Sequence, residues 1–122
     1  MNTDLRFNHE KYSDQQLNQS IAGVLKENML MAVATIKDGK ESYIHTAYFC
    51  YNKHLYLFML TEPFRQHSRN VQTTDSVAIA IYDSRQPWDQ HKRGLQLFGN
   101  CSLAAGLELA EGYILYAQRF SG

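Results

Sequence analysis

Residues 30–61, LMAVATIKDGKESYIHTAYFCYNKHLYLFMLT, decide the fold. Three runs rich in aromatic, β-branched and small apolar residues are separated here by two short polar turns. Asp38-Gly39 is a strong hairpin signal because glycine tolerates positive φ, whereas Asn52-Lys53 is a weaker turn without glycine. Apolar runs broken by turn residues are typical of consecutive antiparallel strands. The sequence therefore predicts a three-stranded meander over residues 30–36, 41–51 and 55–61.

Helices and further strands are predicted on both sides of this meander. Ser13 and Gln16 match a capping box, and apolar residues at helical spacing follow them, so a helix is expected over residues 14–28. Gly99 is interpreted as a bulge or a point of close approach. Downstream of the meander we expect a short helix, a strand that is apolar on both faces, a second strand and a last helix, at residues 64–73, 76–82, 95–98 and 107–120.

The order of these elements predicts a mainly β fold with flanking helices, of the α+β class. Several twisted strands in a small domain tend to curl into a barrel, because closure removes exposed sheet edges. We therefore predict an antiparallel split β-barrel. The chain has 122 residues and shows no linker and no internal repeat, so residues 1–122 are expected to form a single domain.

The composition narrows the classes of function. Lys+Arg and Asp+Glu each number 12, for zero net charge, which argues against a nucleic-acid partner bound through bulk charge and is compatible with self-association. Cys50 and Cys101 lack a CxxC spacing and are expected to be buried, reduced thiols. No apolar run is long enough to span a membrane, and the polar start of the chain differs from a signal peptide. We therefore expect a cytoplasmic protein with no membrane partner.

Residues 61–70, TEPFRQHSRN, contain the polar cluster that most suggests a site. A predicted strand ends at Thr61, and the short helix that follows carries Arg65 and His67. The N-terminus of a helix attracts anions, and arginine offers a fork of donors that suits phosphate oxygens. From these residues alone, a phosphate site and an ordinary solvated helix face both remain open.

Common catalytic motifs are not found in the sequence. The five histidines show neither HxH nor HExxH spacing, so no metal site is expected. GxSxG, GxGxxG and Walker motifs are also absent. His45, in the middle of a predicted strand, is interpreted as a buried or half-buried histidine with satisfied hydrogen bonds. Trp88 lies in a polar loop, and three roles remain open for it: it caps the core, it covers a ligand ring, or it fills an interface, where tryptophan is enriched.

The order and spacing of several segments resemble the pyridoxamine 5'-phosphate oxidase-like family of FMN-binding split barrels. The last part, residues 113–120, resembles the helix of an uncharacterised YhbP-like branch. The family usually adds a strand after this helix, whereas this sequence stops at Gly122, so either the barrel closes differently or part of the C-terminus is not included. The other similar parts are an opening hairpin, the second and third strands, a strand–helix–strand phosphate region and a late strand, at residues 32–39, 47–58, 61–81 and 93–99.

The resemblance implies FMN as the cofactor and a homodimer as the assembly. It places the FMN phosphate at the start of the short helix, where histidine replaces the lysine of the common family pattern and arginine is shifted by one place. The resemblance implies three groups of cofactor-binding residues. The phosphate group is Arg65, Gln66 and His67, and the strand residues that flank the flavin ring and the phosphate tail are Thr46, Ala47, Leu60 and Thr61. Trp88 and Gln96 lie where the second subunit approaches.

Four functions remain open under this resemblance. The first is a flavin-dependent oxidoreductase acting on a small molecule, with no catalytic residue assigned because the flavin supplies the redox chemistry. The others are a non-catalytic flavin carrier or sensor, a haem-binding relative that uses His45, His67 or His91, and an interaction domain whose pocket has lapsed. Oxidation of pyridoxamine phosphate is not expected, because the chain is short and shows no further basic cluster for a second phosphate.

Overall fold

The computed structural model describes residues 2–4, 12–90 and 92–121. The antiparallel strands with flanking helices that the sequence predicts are confirmed. No helix within these ranges is long and apolar enough to cross a membrane. In chain order the elements are β1 (Asn2–Asp4), α1 (Asp14–Glu27), β2 (Leu30–Lys37), β3 (Glu41–Tyr48), β4 (Cys50–Tyr51), β5 (Leu57–Phe58), α2 (Gln66–Thr73), β6 (Ser76–Tyr82), β7 (Gly94–Asn100) and α3 (Gly106–Phe120).

Five strands form one antiparallel sheet in the order β1-β7-β6-β2-β3, and β4 pairs with β5 in a separate two-stranded sheet. The larger sheet is open over the described residues, so the closed barrel expected from the strand content is not seen there. β3 pairs with β2 along its whole length, from Tyr48 opposite Leu30 to Glu41 opposite Lys37. Within the part of the chain that the structure describes, β3 therefore forms one edge of the sheet.

The predicted meander divides at Phe49, which is completely buried. Its amide donates to the Met29 carbonyl at 3.2 Å, one step beyond the Leu30–Tyr48 pair of the β2–β3 ladder. After Phe49 the chain leaves β2 and pairs with β5, so the predicted second strand is two strands, β3 and β4. β4 then pairs with β5 over only two residues. The third strand is therefore Leu57–Phe58, and its predicted extent over residues 55–61 is wrong.

The turn between β4 and β5 forms without glycine because side-chain hydrogen bonds support it. Asn52 Oδ1 accepts from the amides of His54 and Tyr56 at 2.9 and 3.0 Å, and Leu55 adopts the left-handed conformation at φ 63°. Asn52 Nδ2 also donates to Glu111 Oε1 on α3 at 2.6 Å. The turn is thus tied to the C-terminal helix.

The hydrophobic core lies on one face of the five-stranded sheet, which we call the inner face. Alternate residues of β2, β6 and β7 point into this core, among them Val33, Ile79 and Leu97. Val24 and Leu25 of α1 pack against them. Burial of apolar area of this kind is the main favourable contribution to folding.

The opposite face of the sheet, which we call the outer face, is apolar but largely exposed. Its centre consists of small residues, Ala32 and Ala34 of β2 beside Ala80 and Ala78 of β6. These alanines explain why β6 looks apolar on both faces in the sequence. Larger exposed side chains surround them: Leu30, Ile44, Tyr48, Tyr82 and Phe98.

The predicted ends of the elements agree with the structure to within one or two residues outside the meander. The capping box is present, because the Gln16 amide donates to Ser13 Oγ at 3.2 Å and the Ser13 amide donates to Gln16 Oε1 at 2.9 Å. α2 begins two residues later than predicted. The β6–β7 register passes Gly99, opposite Val77, without a skipped residue, so no bulge forms there, and the alternative, a point of close approach, stays a prediction.

Candidate functional site

A cavity of about 400 Å³ opens at the β3 edge of the sheet. Its walls come from β3, the segment that joins β5 to α2, the first turn of α2, and α3. Cavities of this size are within the range that holds small molecules and cofactors. The lining residues are His45, Thr46, Ala47, Tyr48, Leu60, Thr61, Glu62, Arg65, His67 and Tyr116.

β3 reaches the cavity from both faces of the sheet because it is an edge strand. Successive side chains of a strand point to opposite faces. His45 and Ala47 therefore belong to the inner face and are half-buried, whereas Thr46 and Tyr48 belong to the outer face and are exposed. The cavity lining thus continues around the sheet edge from the core side to the outer face.

A buried chain of polar side chains holds α2 against β2. Asn70 Nδ2 donates to Thr35 Oγ1 at 2.9 Å, and Gln66 Nε2 donates to Asn70 Oδ1 at 2.7 Å. Asn70 and Thr35 are each only 3% exposed. Because buried polar groups need partners inside the protein, this chain fixes the helix and, with it, the residues of its first turn.

The start of α2 and Thr61 form a second hydrogen-bonded group, at the cavity. Thr61 Oγ1 lies 2.5 Å from His67 Nε2 and 2.8 Å from Ser68 Oγ, and Ser68 is buried. Arg65 is the N-cap residue and makes no side-chain capping hydrogen bond. The amides of the first turn have no partners within an α-helix. Hydroxyl, imidazole, guanidinium and amide groups therefore meet here, a donor set suited to an anion.

His45 and His67 stack in the cavity wall, with ring centroids 3.8 Å apart and planes that differ by 8°. Both ring nitrogens of His45 are buried with no hydrogen-bond partner among the described residues, so the expectation that this histidine is satisfied is wrong. Burial, and then the charge of His67, lower the pKa of His45 from 6.5 to about 4. The nearby Val33 backbone acts in the opposite direction and raises this pKa, although it does not form a hydrogen bond with the ring. Burial, and then Arg65, lower the pKa of His67.

Arg65 stands at the mouth of the cavity. Its side chain is 59% exposed, its Nε lies 3.3 Å from Glu62 Oε2, and its guanidinium lies over the Phe64 ring at 5.5 Å. Exposed ion pairs of this kind contribute little, about 0–1 kcal/mol. A ligand therefore gains access to the Arg65 guanidinium at small cost.

Most of the cofactor-binding residues predicted from the sequence line this cavity together. They come from β3, from the segment before α2 and from the start of α2, and they are Thr46, Ala47, Leu60, Thr61, Arg65 and His67. Gln66 does not line the cavity, because its side chain bonds to Asn70 and accepts from Arg69 Nη2 at 2.8 Å. The Gln66 side chain therefore stabilises α2 through hydrogen bonds to two other residues of the same helix.

The other two candidates, Trp88 and Gln96, lie away from the cavity of a single chain. Trp88 is 86% exposed in the loop after β6, with Lys92 Nζ over its ring at 4.8 Å. Gln96 lies on the outer face in the row Thr46–Ala32–Ala80–Gln96 across four strands. Three strand spacings separate its two ends, about 14 Å. Both residues remain predictions that depend on a second subunit.

Four lining residues were not among those predicted to bind FMN: His45, Tyr48, Glu62 and Tyr116. The alternation of β3 offered a signal for His45, because it shares a face with Ala47. No local signal pointed to Tyr116, since α3 reaches the cavity only through tertiary packing. Burial raises the pKa of the Tyr116 phenol.

The described ranges contain no group of three or more His, Cys, Asp or Glu side chains that could hold a metal ion. His91, a haem candidate from the sequence, lies outside them. Cys50 and Cys101 are free; the first is buried as expected, and the second is half-buried. Burial raises the pKa of both thiols, which disfavours the reactive thiolate.

Solved structures match the chain over most of its length, whereas no protein-family model and no curated protein matches it. The haem storage protein HutZ from Vibrio cholerae shares 18% identity at a TM-score of 0.70, covering 85% of this chain and 75% of that chain. The conserved hypothetical protein Rv2991 from Mycobacterium tuberculosis shares 16% identity at a TM-score of 0.73, and the match covers 91% of this chain and 66% of that chain. An F420 reductase shares 19% identity at a TM-score of 0.63, and the match covers 82% of this chain and 75% of that chain.

The chain thus shares its fold with these solved structures, and membership of the pyridoxamine 5'-phosphate oxidase-like family stays a prediction. Identities this low show a common fold and no more. Membership of the YhbP-like branch therefore stays a prediction. Since one fold hosts many activities, the ligand has to be argued from the cavity itself.

Proposed function

We propose that this chain is a cytoplasmic FMN-binding protein that acts, as a homodimer, as a flavin-dependent oxidoreductase on a small molecule. The observation that carries the proposal is the donor set at one end of the cavity, where Thr61, Arg65 and His67 meet at the start of α2. Such a set suits the dianionic phosphate of FMN better than an uncharged ligand.

The remaining cavity residues fit the rest of FMN. Ala47, Leu60 and Tyr116 offer apolar and aromatic surface for a planar ring, and the volume lies within the range of cofactor sites. The unpartnered nitrogens of His45 offer hydrogen-bonding capacity that no protein group among the described residues uses. The donor set and the apolar wall thus match the two chemically different halves of the cofactor.

The chain itself contributes binding and orientation under this proposal. Bound flavin supplies electron and hydride transfer. Thr61, Arg65 and His67 hold the phosphate, and the apolar wall excludes water from one side of the ring. Thr46 and Tyr48 line the cavity from the exposed outer face, and under this proposal a small-molecule substrate enters, or a second subunit closes the site, on that side.

The outer face supports the homodimer. It presents exposed Ile44, Tyr82 and Phe98 around a flat alanine centre, and exposed apolar patches of this kind commonly mark interfaces. Two-fold pairing is the most frequent closed assembly. A second copy on this face would lie next to Thr46 and Tyr48, and its own Gln96 would be available to the cavity of the first copy.

Spectroscopy and flavin titration test the cofactor. The freshly purified protein is expected to be yellow, or to quench the fluorescence of added FMN at a ratio of one FMN to one chain. Turnover of a reduced nicotinamide or a reduced deazaflavin by the loaded protein separates an oxidoreductase from a non-catalytic carrier. A colourless protein that ignores added FMN would overturn the proposal.

Light scattering tests the assembly. The wild type is expected to have the mass of two chains, and Ile44→Lys on the outer face is expected to give monomers that bind FMN more weakly. Leu107→Lys is the matched control, because Leu107 is 91% exposed on α3. A monomeric wild type that binds FMN fully would contradict a site at the interface.

Haem binding is the second candidate, and one observation favours it. His45 has two unpartnered nitrogens in the cavity wall, and imidazole is a common axial ligand of haem iron. The similarity of the fold to the haem storage protein HutZ is compatible with this function. A Soret band after addition of haemin, lost in His45→Phe, would favour haem over FMN.

A further inference from the structure

The stacked histidines join the phosphate-binding end of the cavity to the edge of the sheet. His67 belongs to the first turn of α2, and its Nε2 lies 2.5 Å from Thr61 Oγ1. His45 belongs to the inner face of β3 and lies 3.8 Å from His67, ring centroid to ring centroid. His67 therefore has one nitrogen at a hydroxyl that faces the cavity and one ring face covered by a second imidazole.

The other titratable and charged groups around this pair come from each element of the cavity wall. Arg65 and Glu62 flank His67 from the start of α2 and the segment before it, Tyr116 comes from α3, and Tyr48 comes from β3. Arg65 and Glu62 form an ion pair and largely offset each other. The cavity wall thus contains no unopposed negative charge beside His67 among the described residues.

Burial and Arg65 lower the pKa of His67, and burial together with a charged His67 lowers the pKa of His45 to about 4. At neutral pH both rings are therefore uncharged when no anion is bound. Only one of them takes up a proton readily, because two charged imidazoles in van der Waals contact repel each other. His67 is the one that can share its charge with an anion at Thr61.

We propose that phosphate binding in this cavity is coupled to the uptake of one proton by His67, so that the site holds a phosphate dianion more tightly near neutral pH than in alkali. The inference rests on the proposed FMN function and adds its regulation. The proton comes from water, and it occupies the ring nitrogen of His67 that is unprotonated before binding. His45 stays neutral and acts as a positioning residue that keeps the His67 ring in place.

The direction of the pH effect follows from linkage. A dianion beside His67 raises its pKa in the complex above that in the free protein, so the complex binds more protons than its separated parts. FMN affinity therefore falls as pH rises through the pKa of the complex. The phosphate itself takes up a proton at a pKa of about 6, which weakens binding as pH falls. Measurements above about pH 6.5 keep most of the phosphate in the dianionic form, so this opposite effect stays small.

Flavin titrations across pH test this coupling. FMN is expected to bind about threefold more tightly near pH 6.5 than near pH 8.5, whereas riboflavin binding stays flat. His67→Gln keeps a hydrogen-bonding side chain and is expected to lose the slope. His45→Phe keeps a stacked ring and is expected to retain it, and His54→Gln, on an exposed turn, is the matched control. An equal slope in His67→Gln, or no slope in the wild type, would overturn the inference while leaving FMN binding intact.

Inorganic phosphate provides a test that does not depend on flavin. In NMR titrations of the imidazole protons, saturating phosphate is expected to raise the pKa of His67 by about one unit and to leave His54 unchanged. If FMN fails to bind at every pH but phosphate still raises this pKa, the FMN function falls and the proton-coupled anion site stands. An unchanged pKa of His67 at saturating phosphate overturns the inference.

Discussion

Two arginines mark two regions that differ in what surrounds the charge, although Arg119 Nε is buried without a hydrogen-bond partner among the described residues. Arg119 of α3 donates through Nη2 to the carbonyls of Leu25, at 2.9 Å, and Asn28 at the end of α1. Its guanidinium also lies over the rings of Phe49 and Tyr51, at 4.9 and 5.2 Å. Arg65, by contrast, is 59% exposed, and its ion pair is with Glu62, three residues before it.

The comparison shows how the surroundings of a cation separate structural stabilisation from ligand binding. At Arg119 the positive charge meets the negative end of α1 and the faces of aromatic rings, which are favourable and fixed partners. At Arg65 the partner is a weak, exposed carboxylate that a stronger anion can displace. We therefore expect Arg119 to contribute mainly to stability and Arg65 mainly to binding.

Removal of Arg119 is expected to have the largest effect on stability. Arg119→Ala leaves two carbonyls without their charged donor and removes the cation–π contacts, so the free energy of unfolding should fall by about 2–4 kcal/mol. Urea denaturation measures this change. Arg85→Ala is the matched control, because that side chain is 88% exposed, and a loss as small as that of the control would refute the structural role of Arg119.

The polar chain beneath α2 is expected to contribute less than Arg119. Asn70→Ala leaves the buried Thr35 hydroxyl without its donor and should cost about 1–3 kcal/mol in the free energy of unfolding, while Gln72→Ala on the exposed side of α2 should cost little. Combining Asn70→Ala with Thr35→Val is expected to cost less than the sum of the two single changes. Additive losses in urea denaturation would show that the two side chains do not act together.

Replacement of Glu62 is expected to have the smallest effect of the three, and to change FMN affinity without changing stability. Glu62→Gln removes the carboxylate that competes with a phosphate for Arg65, so FMN affinity should rise by up to about fivefold. Fluorescence titration measures this change, with Glu108→Gln, an exposed carboxylate on α3, as the control. Weaker FMN binding in Glu62→Gln would mean that the carboxylate supports the site rather than competes with the ligand.

The parts of the fold predicted from the sequence are those that local signals determine. The capping box marks the start of α1, and Asp38-Gly39 marks the β2–β3 hairpin. The break after Phe49 was missed because nothing in the local sequence shows that Cys50 and Tyr51 leave β2 and pair with β5. Strand pairing is a tertiary property, which propensity alone does not specify.

The candidate site shows the same division between local and distant information. Thr61, Arg65 and His67 could be predicted as candidates because they lie within one short segment that ends a strand and begins a helix. The role of His45 depends on β3 passing under α2, and that of Tyr116 on α3 packing beside both. These contacts join residues distant in the sequence, so no pattern within a single segment reveals them.

The most direct test of the central claim, that this cavity binds the phosphate of FMN, is the affinity for FMN and for riboflavin in the wild type and in Arg65→Ala. Arg65→Ala is expected to weaken FMN binding by about tenfold or more, the value of a charged hydrogen bond. Riboflavin, which lacks the phosphate, should bind both proteins weakly and equally. Equal weakening of the two ligands, or no change in either, would contradict a phosphate site at Arg65.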